Sequence, residues 1–498
     1  MDLLQRTSRR YRRWGMGLLG LSLALLSVWR IQAAAGGLEV TPLPSTTPPL
    51  TIVAPAGAAE EPRPLVLVGH GFAGSGLLMR GYALALAHAG YSVVLWDFDG
   101  HGANPRPLPL ESQSDALLPN AEAALAEAEA RGLVAPGRVA ILGHSMGSGV
   151  ALAYGQKYPA TAATVAISPV GQRVTPTLPR NLLLMAGSLE APFVRNAEQR
   201  LAEAGGAGGD PAAGTARALR VISGVEHVSI LFAPASHAAA RDWLDATFGP
   251  QPGAADYTDR RMAWCGLGLL GVLLIGAALA PSVADPAPAD PPRRPLGRRL
   301  GAAAGGVLGA TLGLWAAGVA GLGLRDLLGL LVGGYLMIWF GLAGLLNLLL
   351  LRSRPALPSR RAVLAGLLAF AALWVGVGSF GQLAWLPWLL IRQRLLLWPL
   401  GGLLLLPWFL ALGEAGRDAN LAGRIGWWLA HSAVLAAGLA LAMALNPELG
   451  FLGIILPLLP VVLALHALAS APHRGRWPFA LSGALFLSWL FLAVFPLQ

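Results

Sequence analysis

The chain has 498 residues, 55% of them hydrophobic and only 12% charged, and carries a formal net charge of +10. The length exceeds one ordinary domain, and a charged fraction far below the roughly 25% of soluble domains excludes a wholly water-soluble chain. The positive charge does not point to nucleic acid, because it is almost all arginine beside apolar stretches, with Lys157 the only lysine and no basic face or binding motif; the single cysteine, Cys265, excludes an intrachain disulfide or a cysteine-rich metal site.

The N-terminus, MDLLQRTSRRYRR, precedes an apolar stretch from Trp14 to Trp29. This reads as a signal-anchor helix within a segment 1–35, with a cleaved signal peptide as the alternative, since Ala33-Ala34-Ala35 offers small residues for cleavage. Under both readings the residues after this segment are exported. Residues 38–250 have the composition of an α/β domain. Short apolar runs at 50–54, 65–69, 92–96, 138–143, 162–167, 181–187 and 217–222 predict strands, and 76–89, 114–131, 146–157, 192–204 and 236–247 predict helices. Runs apolar on both faces suit a doubly wound, mostly parallel sheet covered by helices. A linker at 251–261 leads to residues 262–498, an all-α polytopic region. Its predicted spans are 262–281, 300–322, 327–351, 362–380, 395–413, 425–445, 449–469 and 477–496, each near the roughly 20 residues a bilayer needs.

With the N-terminus inside, arginine clusters at 6–13, 293–299, 352–361, 417–424 and 474–476 fall on the cytoplasmic side, and only Arg325, Arg392 and Arg394 on the outer side. The positive-inside rule thus places the α/β domain on the extracytoplasmic face of the cell membrane, the inner membrane in a two-membrane cell. Arg392 and Arg394 fit an interfacial or re-entrant stretch. Asn347, Gln382, His431 and His466 are the main polar residues of the spans, and no span carries a buried carboxylate of the kind a proton relay needs. Paired small residues such as Gly305, Gly306 and Gly309 suit close helix packing.

In RVAILGHSMGSGVALAYG a strand, a tight turn and a helix succeed one another, with Ser145 at the apex of Gly143-His144-Ser145-Met146-Gly147. Such a turn lifts a serine hydroxyl above the sheet. A serine needs a base, and the base a carboxylate to fix its tautomer. Glu190 follows the strand NLLLMAG, and His227 follows the strand ending near Ser223, which gives the order Ser, acid, His. Glu226 and Asp210 are the alternative acids, Glu226 ranking second because it adjoins His227 and would point elsewhere in an extended loop. Backbone amides of Met146 and Phe72 are the expected oxyanion donors, while His70, Asp97 and Gly100-His101-Gly102 read as loop architecture.

The segments HGF, WDFDGHG, GHSMG, GSLE and GVEHVSI, in this order, resemble the α/β-hydrolase superfamily over residues 38–248, nearest to its dienelactone hydrolase-like and bacterial esterase- or lipase-like members. The resemblance implies a serine hydrolase with Ser145, Glu190 and His227 as catalytic triad, Phe72 and Met146 at the oxyanion hole, and neither cofactor nor metal. Two departures stand out. The acid is Glu where Asp is commoner, and the link from Ser168 to Arg180 is too short for a large helical lid. The cysteine nucleophile of true dienelactone hydrolases is absent. Residues 262–498 resemble no family.

Three functions of different class fit these features. The first is a membrane-bound serine esterase or lipase acting on a small-molecule or lipid-like ester, with membrane lipids as surroundings. In the second the hydrolase serves a transporter- or flippase-like membrane region. The third is a non-catalytic hydrolase-fold binding module in a membrane assembly, with protein partners of the membrane region open. Peptidase and acyltransferase chemistry stays open on this fold.

Overall fold

A computed structural model describes residues 2–58, 60–109, 113–283, 294–415, 421–450, 452–473 and 475–498. Arg293, Arg417 and Arg474, three of the arginines on which the expected orientation rests, lie outside the described residues. The chain divides into two compact units, one of residues 1–27, 266–379 and 390–495, the other of Val28–Cys265, Phe380–Leu389 and Pro496–Gln498.

The second unit is built on one eight-stranded sheet in the order β1-β2-β4-β3-β5-β6-β7-β8. The strands are β1 (Leu38–Leu43), β2 (Leu50–Pro55), β3 (Arg63–Gly69), β4 (Ser92–Trp96), β5 (Val134–His144), β6 (Ala163–Ile167), β7 (Leu182–Gly187) and β8 (Arg217–Ile222). β2 runs antiparallel to β1 and β4; every other pairing is parallel. The mostly parallel sheet is the one the double-sided apolar runs predict. β1 is not among the predicted strands, because LEVTPL is half exposed and interrupted by Pro42, a residue tolerated only on a sheet edge.

Helices α1 (Asp2–Ala33), α2 (Arg80–His88), α3 (Gln113–Ala116), α4 (Leu118–Ala130), α5 (Met146–Lys157), α6 (Ala191–Glu203) and α7 (Pro234–Phe248) precede α8 (Arg261–Leu279). Alternate residues of β7 feed two cores, as the twofold strand period requires: Leu183 and Met185 join Val66, Val68, Leu86 and Leu244 on one face, while Leu182 and Leu184 join Leu152 and Ala197 on the other. Leu183 is 1% exposed. Leu183→Ala is therefore expected to destabilise the unit by about 2–5 kcal/mol through lost transfer energy and a cavity; a chemical-unfolding shift below about 1 kcal/mol would contradict this packing.

The first unit holds α9 (Leu296–Val319), α10 (Gly333–Leu350), α11 (Arg360–Ala384, whose last turn belongs to the second unit), α12 (Arg392–Ala415), α13 (Leu421–Leu445), α14 (Leu452–Ile455), α15 (Leu458–Ser470) and α16 (Arg476–Val494). Among the described residues eight helices, including the N-terminal one, are long and apolar enough to cross a membrane. The expected continuous span at 449–469 differs: the chain turns at Gly450 and again at Leu456–Pro457, leaving the one-turn α14 between them, and α15 keeps only 13 residues, with Pro460 in its first turn. Inside this unit His466 on α15 bonds Ser482 Oγ on α16 at 3.0 Å, a tie between helices, whereas His431 bonds the carbonyl of Trp427 one turn back in its own helix. Arg394 is buried within the protein and donates to the carbonyls of Leu492 and Phe495 at the end of α16, which the helix itself leaves unpaired.

Candidate active site

Parallel strands pointing one way bring their carboxyl ends to one edge, and the loops after β3, β5, β7 and β8 meet there. Ser145 joins β5 directly to α5 with φ 52° and ψ −117°, a conformation costly for any residue with a side chain. Its surroundings explain the two flanking glycines. A Cβ on Gly143 would overlap the carbonyl of Gly147, and one on Gly147 would stand 2.6 Å from the carbonyl oxygens of Gly69 and His70. The turn is fixed by the Ser145 amide donating to Ile167 O at 2.9 Å, and by the Ser148 hydroxyl donating to Ser145 O at 2.5 Å.

The Ser145 hydroxyl meets His227 Nε2 at 3.0 Å, and His227 Nδ1 meets Glu190 Oε2 at 2.7 Å. All three residues are buried. The other carboxylate oxygen, Oε1, accepts from the Gly187 amide at 2.6 Å and from the Ser168 hydroxyl at 2.7 Å, which aims Oε2 at the imidazole. The ring of Phe193, in the first turn of α6, stacks on His227 with centroids 4.3 Å apart. His144 Nε2 donates to the backbone carbonyl of His227 at 2.9 Å. Burial, aided by the nearby His227, holds the His144 pKa well below its usual value, so this donor ring stays neutral.

Glu226 faces elsewhere. Its carboxylate accepts from the amides of Val228 (2.7 Å) and Ser229 (2.8 Å), capping the short helical turn Ser229–Phe232. Burial raises its pKa, but these bonds outweigh burial and leave it lowered. Asp210 is exposed and accepts from the Ala212 amide.

Met146 opens α5, where first-turn amides have no carbonyl of their own helix to bond. Phe72 follows Gly71, and a Cβ on Gly71 would lie 3.2 Å from Ser145 Cβ and 2.7 Å from His144 Nδ1, so the loop after β3 passes tightly against the serine turn. His70 holds that loop: Nδ1 donates to Gly71 O at 2.7 Å and Nε2 accepts the Phe98 amide at 3.0 Å. Burial pushes its pKa down to about 4, which matches this neutral tautomer. Asp97 accepts the amides of Gly76 and Ala103, and a Cβ on Gly102 would collide with its carboxylate. Among the described residues no cluster of three or more His, Cys, Asp or Glu could hold a metal ion.

A family model described as Serine aminopeptidase, S33, matches residues 60–208, a stretch that contains Ser145 and Glu190 and stops short of His227. The chain carries an α/β-hydrolase domain. Two Mycobacterium tuberculosis proteins, both described only as uncharacterized, are 34% identical to it over 128 residues, which is 24% of this chain. The chain spans about 44% of the length of these curated relatives. A Klebsiella pneumoniae protein assigned as a dienelactone hydrolase aligns with 42% of this chain and 97% of its own at 20% identity and a TM-score of 0.33. A soluble variant of Saccharomyces cerevisiae monoglyceride lipase covers 42% of this chain and 96% of its own at 15% identity and a TM-score of 0.31. Likenesses at these scores carry no argument about function.

Within the hydrolase domain, Ser168 and Phe193 touch Glu190 and His227 of the candidate triad, and sequence reasoning does not single them out. Ser168 offers one signal, a serine directly after the apolar run ATVAI at the carboxyl end of a strand. Phe193 offers none, because its use depends on where α6 lies beside the loop of His227.

Proposed function

We propose that this is a membrane-bound serine hydrolase that cleaves acyl esters by an acyl-enzyme mechanism. The observation that carries the reading is the unbroken relay from Ser145 Oγ through His227 to Glu190. In the proposed mechanism His227 Nε2 takes the Ser145 proton as Oγ attacks the ester carbonyl, and Glu190 Oε2 holds the Nδ1 proton and steadies the imidazolium. The oxygen of the tetrahedral intermediate is met by the amides of Phe72 and Met146. His227 then gives its proton to the leaving alcohol, and water, activated by the same ring, releases the acid. The substrate class is a small-molecule or lipid-like ester; the short, helix-free link from Ser168 to Arg180 favours an uncovered cleft.

The proposal divides the chain into the segment 1–35, a hydrolase domain at 38–250, a linker at 251–261 and a membrane region at 262–498, with the hydrolase domain outside the cytoplasm. The make-up of the second unit supports this sidedness. Its three pieces, Val28–Cys265, Phe380–Leu389 and Pro496–Gln498, are those the arginine distribution puts on the outer side. Chain that returns to one side must cross an even number of times. The long helices α8, α9, α10 and α11 lie between the first two pieces; α12, α13 and α16 lie between the last two, and the proposed sidedness requires the shorter α15 to serve with α14 as a fourth crossing there.

The deciding experiment labels intact cells, stripped of any outer membrane as spheroplasts, with a membrane-impermeant fluorophosphonate. The expected result is labelling of wild type and none of Ser145→Ala. Labelling of both variants refutes the nucleophile, and labelling of wild type only after lysis refutes the orientation.

A further inference from the structure

The hydrolase unit contains a piece of chain far from it in sequence, Phe380–Leu389, the end of α11 and the loop after it. Trp385 in that piece is bonded twice to the loop after β3. Its indole Nε1 donates to Ala73 O at 3.2 Å, and its backbone carbonyl accepts the Ser75 hydroxyl at 2.6 Å. Of the bonded residues, Ala73 has φ 59°, the left-handed region that an alanine occupies only under constraint, and Ser75, wholly buried and in extended backbone, also accepts the Leu77 amide to start the short helix Gly76–Met79. The loop is tied at its start by His70 to the Phe98 amide and at its end by Asp97 to the Gly76 amide. Between those ties the Gly74 amide donates to Gly71 O at 3.2 Å, and Trp385 adds the bonds to Ala73 O and from the Ser75 hydroxyl.

Trp385 is itself held. The amides of Trp385 and Leu386 both close on Gly381 O, at 2.7 and 2.8 Å, and Arg261 donates to Leu383 O at 2.9 Å while its guanidinium is gripped by both oxygens of the buried Asp259. The Trp385 ring packs against the core that contains β3, α2 and α7. A rigid group thus grips the residue next to Phe72.

We propose that Trp385, from the segment between α11 and α12, is a positioning residue for the oxyanion hole: it fixes the turn Ala73–Ser75 and so aims the Phe72 amide at the oxygen of the tetrahedral intermediate. The inference rests on the serine-hydrolase reading of the site. Donors in such a hole act only when pre-aimed, because the reacting oxygen gains its charge at the transition state. Loosening one therefore lowers turnover without weakening substrate binding.

The test uses the full-length protein in lipid nanodiscs, with p-nitrophenyl butyrate as substrate and phenylboronic acid as tetrahedral mimic. Trp385→Phe removes the indole N–H and keeps an aromatic ring and the carbonyl; Ser75→Ala removes the other bond together with the acceptor of the Leu77 amide, so Trp385→Phe is the cleaner variant. Each is expected to lower kcat about tenfold, a fraction of the ~100- to 1,000-fold that loss of a whole donor costs. KM should stay within about twofold and the boronate inhibition constant should weaken by the factor lost in kcat. Unchanged kcat and inhibition constant in both variants overturn the inference, as does a rise in KM with the boronate constant unmoved. Ser145→Ala keeps the two ideas apart. If it stays active, the proposed function itself fails; if it is dead while Trp385→Phe and Ser75→Ala behave as wild type, only the positioning role fails.

Discussion

Ser145→Ala is expected to lower turnover of an activated ester by about a million-fold, the scale on which serine hydrolases lose activity when the nucleophile is removed. The fold should survive the change. The backbone strain at Ser145 is imposed by bonds that do not involve its hydroxyl, namely its amide to Ile167 O and its carbonyl to Ser148. Alanine fits the same turn, so an unaltered melting temperature with abolished turnover is the expected pair of readings. Residual turnover within about a hundredfold of wild type would mean that ester cleavage does not pass through Ser145.

The second large effect belongs to Glu190→Gln, expected to cost about 10,000-fold in kcat. The direction follows from the carboxylate's neighbours. Oε1 accepts from two donors, the Gly187 amide and the Ser168 hydroxyl, so a glutamine would turn its carbonyl oxygen toward them. Its NH2 would then face His227 Nδ1, force that nitrogen to accept, and leave the ring proton on Nε2, where it blocks proton removal from Ser145. Glu226→Gln is the control: its carboxylate only caps the turn Ser229–Phe232, so turnover should stay near wild type with a modest loss of stability. If Glu226→Gln is the dead variant and Glu190→Gln the active one, the proposed roles are reversed.

Much of the hydrolase domain was legible because its signals are local. Runs such as LVLVG and NLLLMAG are apolar on both faces only if helices cover both, and GHSMG carries its strand, turn and helix within a short stretch of chain. The distinction between Glu190 and Glu226 was half legible: spacing placed both near His227, but which carboxylate faces the ring depends on Ser168, and on the Gly187 amide, across two strand ends. β1 escaped because an edge strand needs no apolar face, and the break before α15 escaped because a hydropathy average passes over Gly450 and Pro457. Trp385 could not be read at all. It lies in a segment that reads as an ordinary connection between spans, and its two bonds reach back across separations of 312 and 310 residues, to Ala73 and Ser75.

The tail has a similar reach. Leu497 exchanges backbone hydrogen bonds with Gly100 and Leu108, each 2.9 Å long, and the Gln498 side chain donates to Leu108 O across a separation of 390 residues. Ribosomes add about 5–20 residues per second, so on the order of a minute passes between synthesis of the loop at 100–108 and arrival of residues 497 and 498. Contacts this distant close late and slowly. The turn Ala73–Ser75 thus gains its bonds to Trp385, and the loop at 100–108 its bonds to Leu497 and Gln498, only after hundreds of further residues have been made.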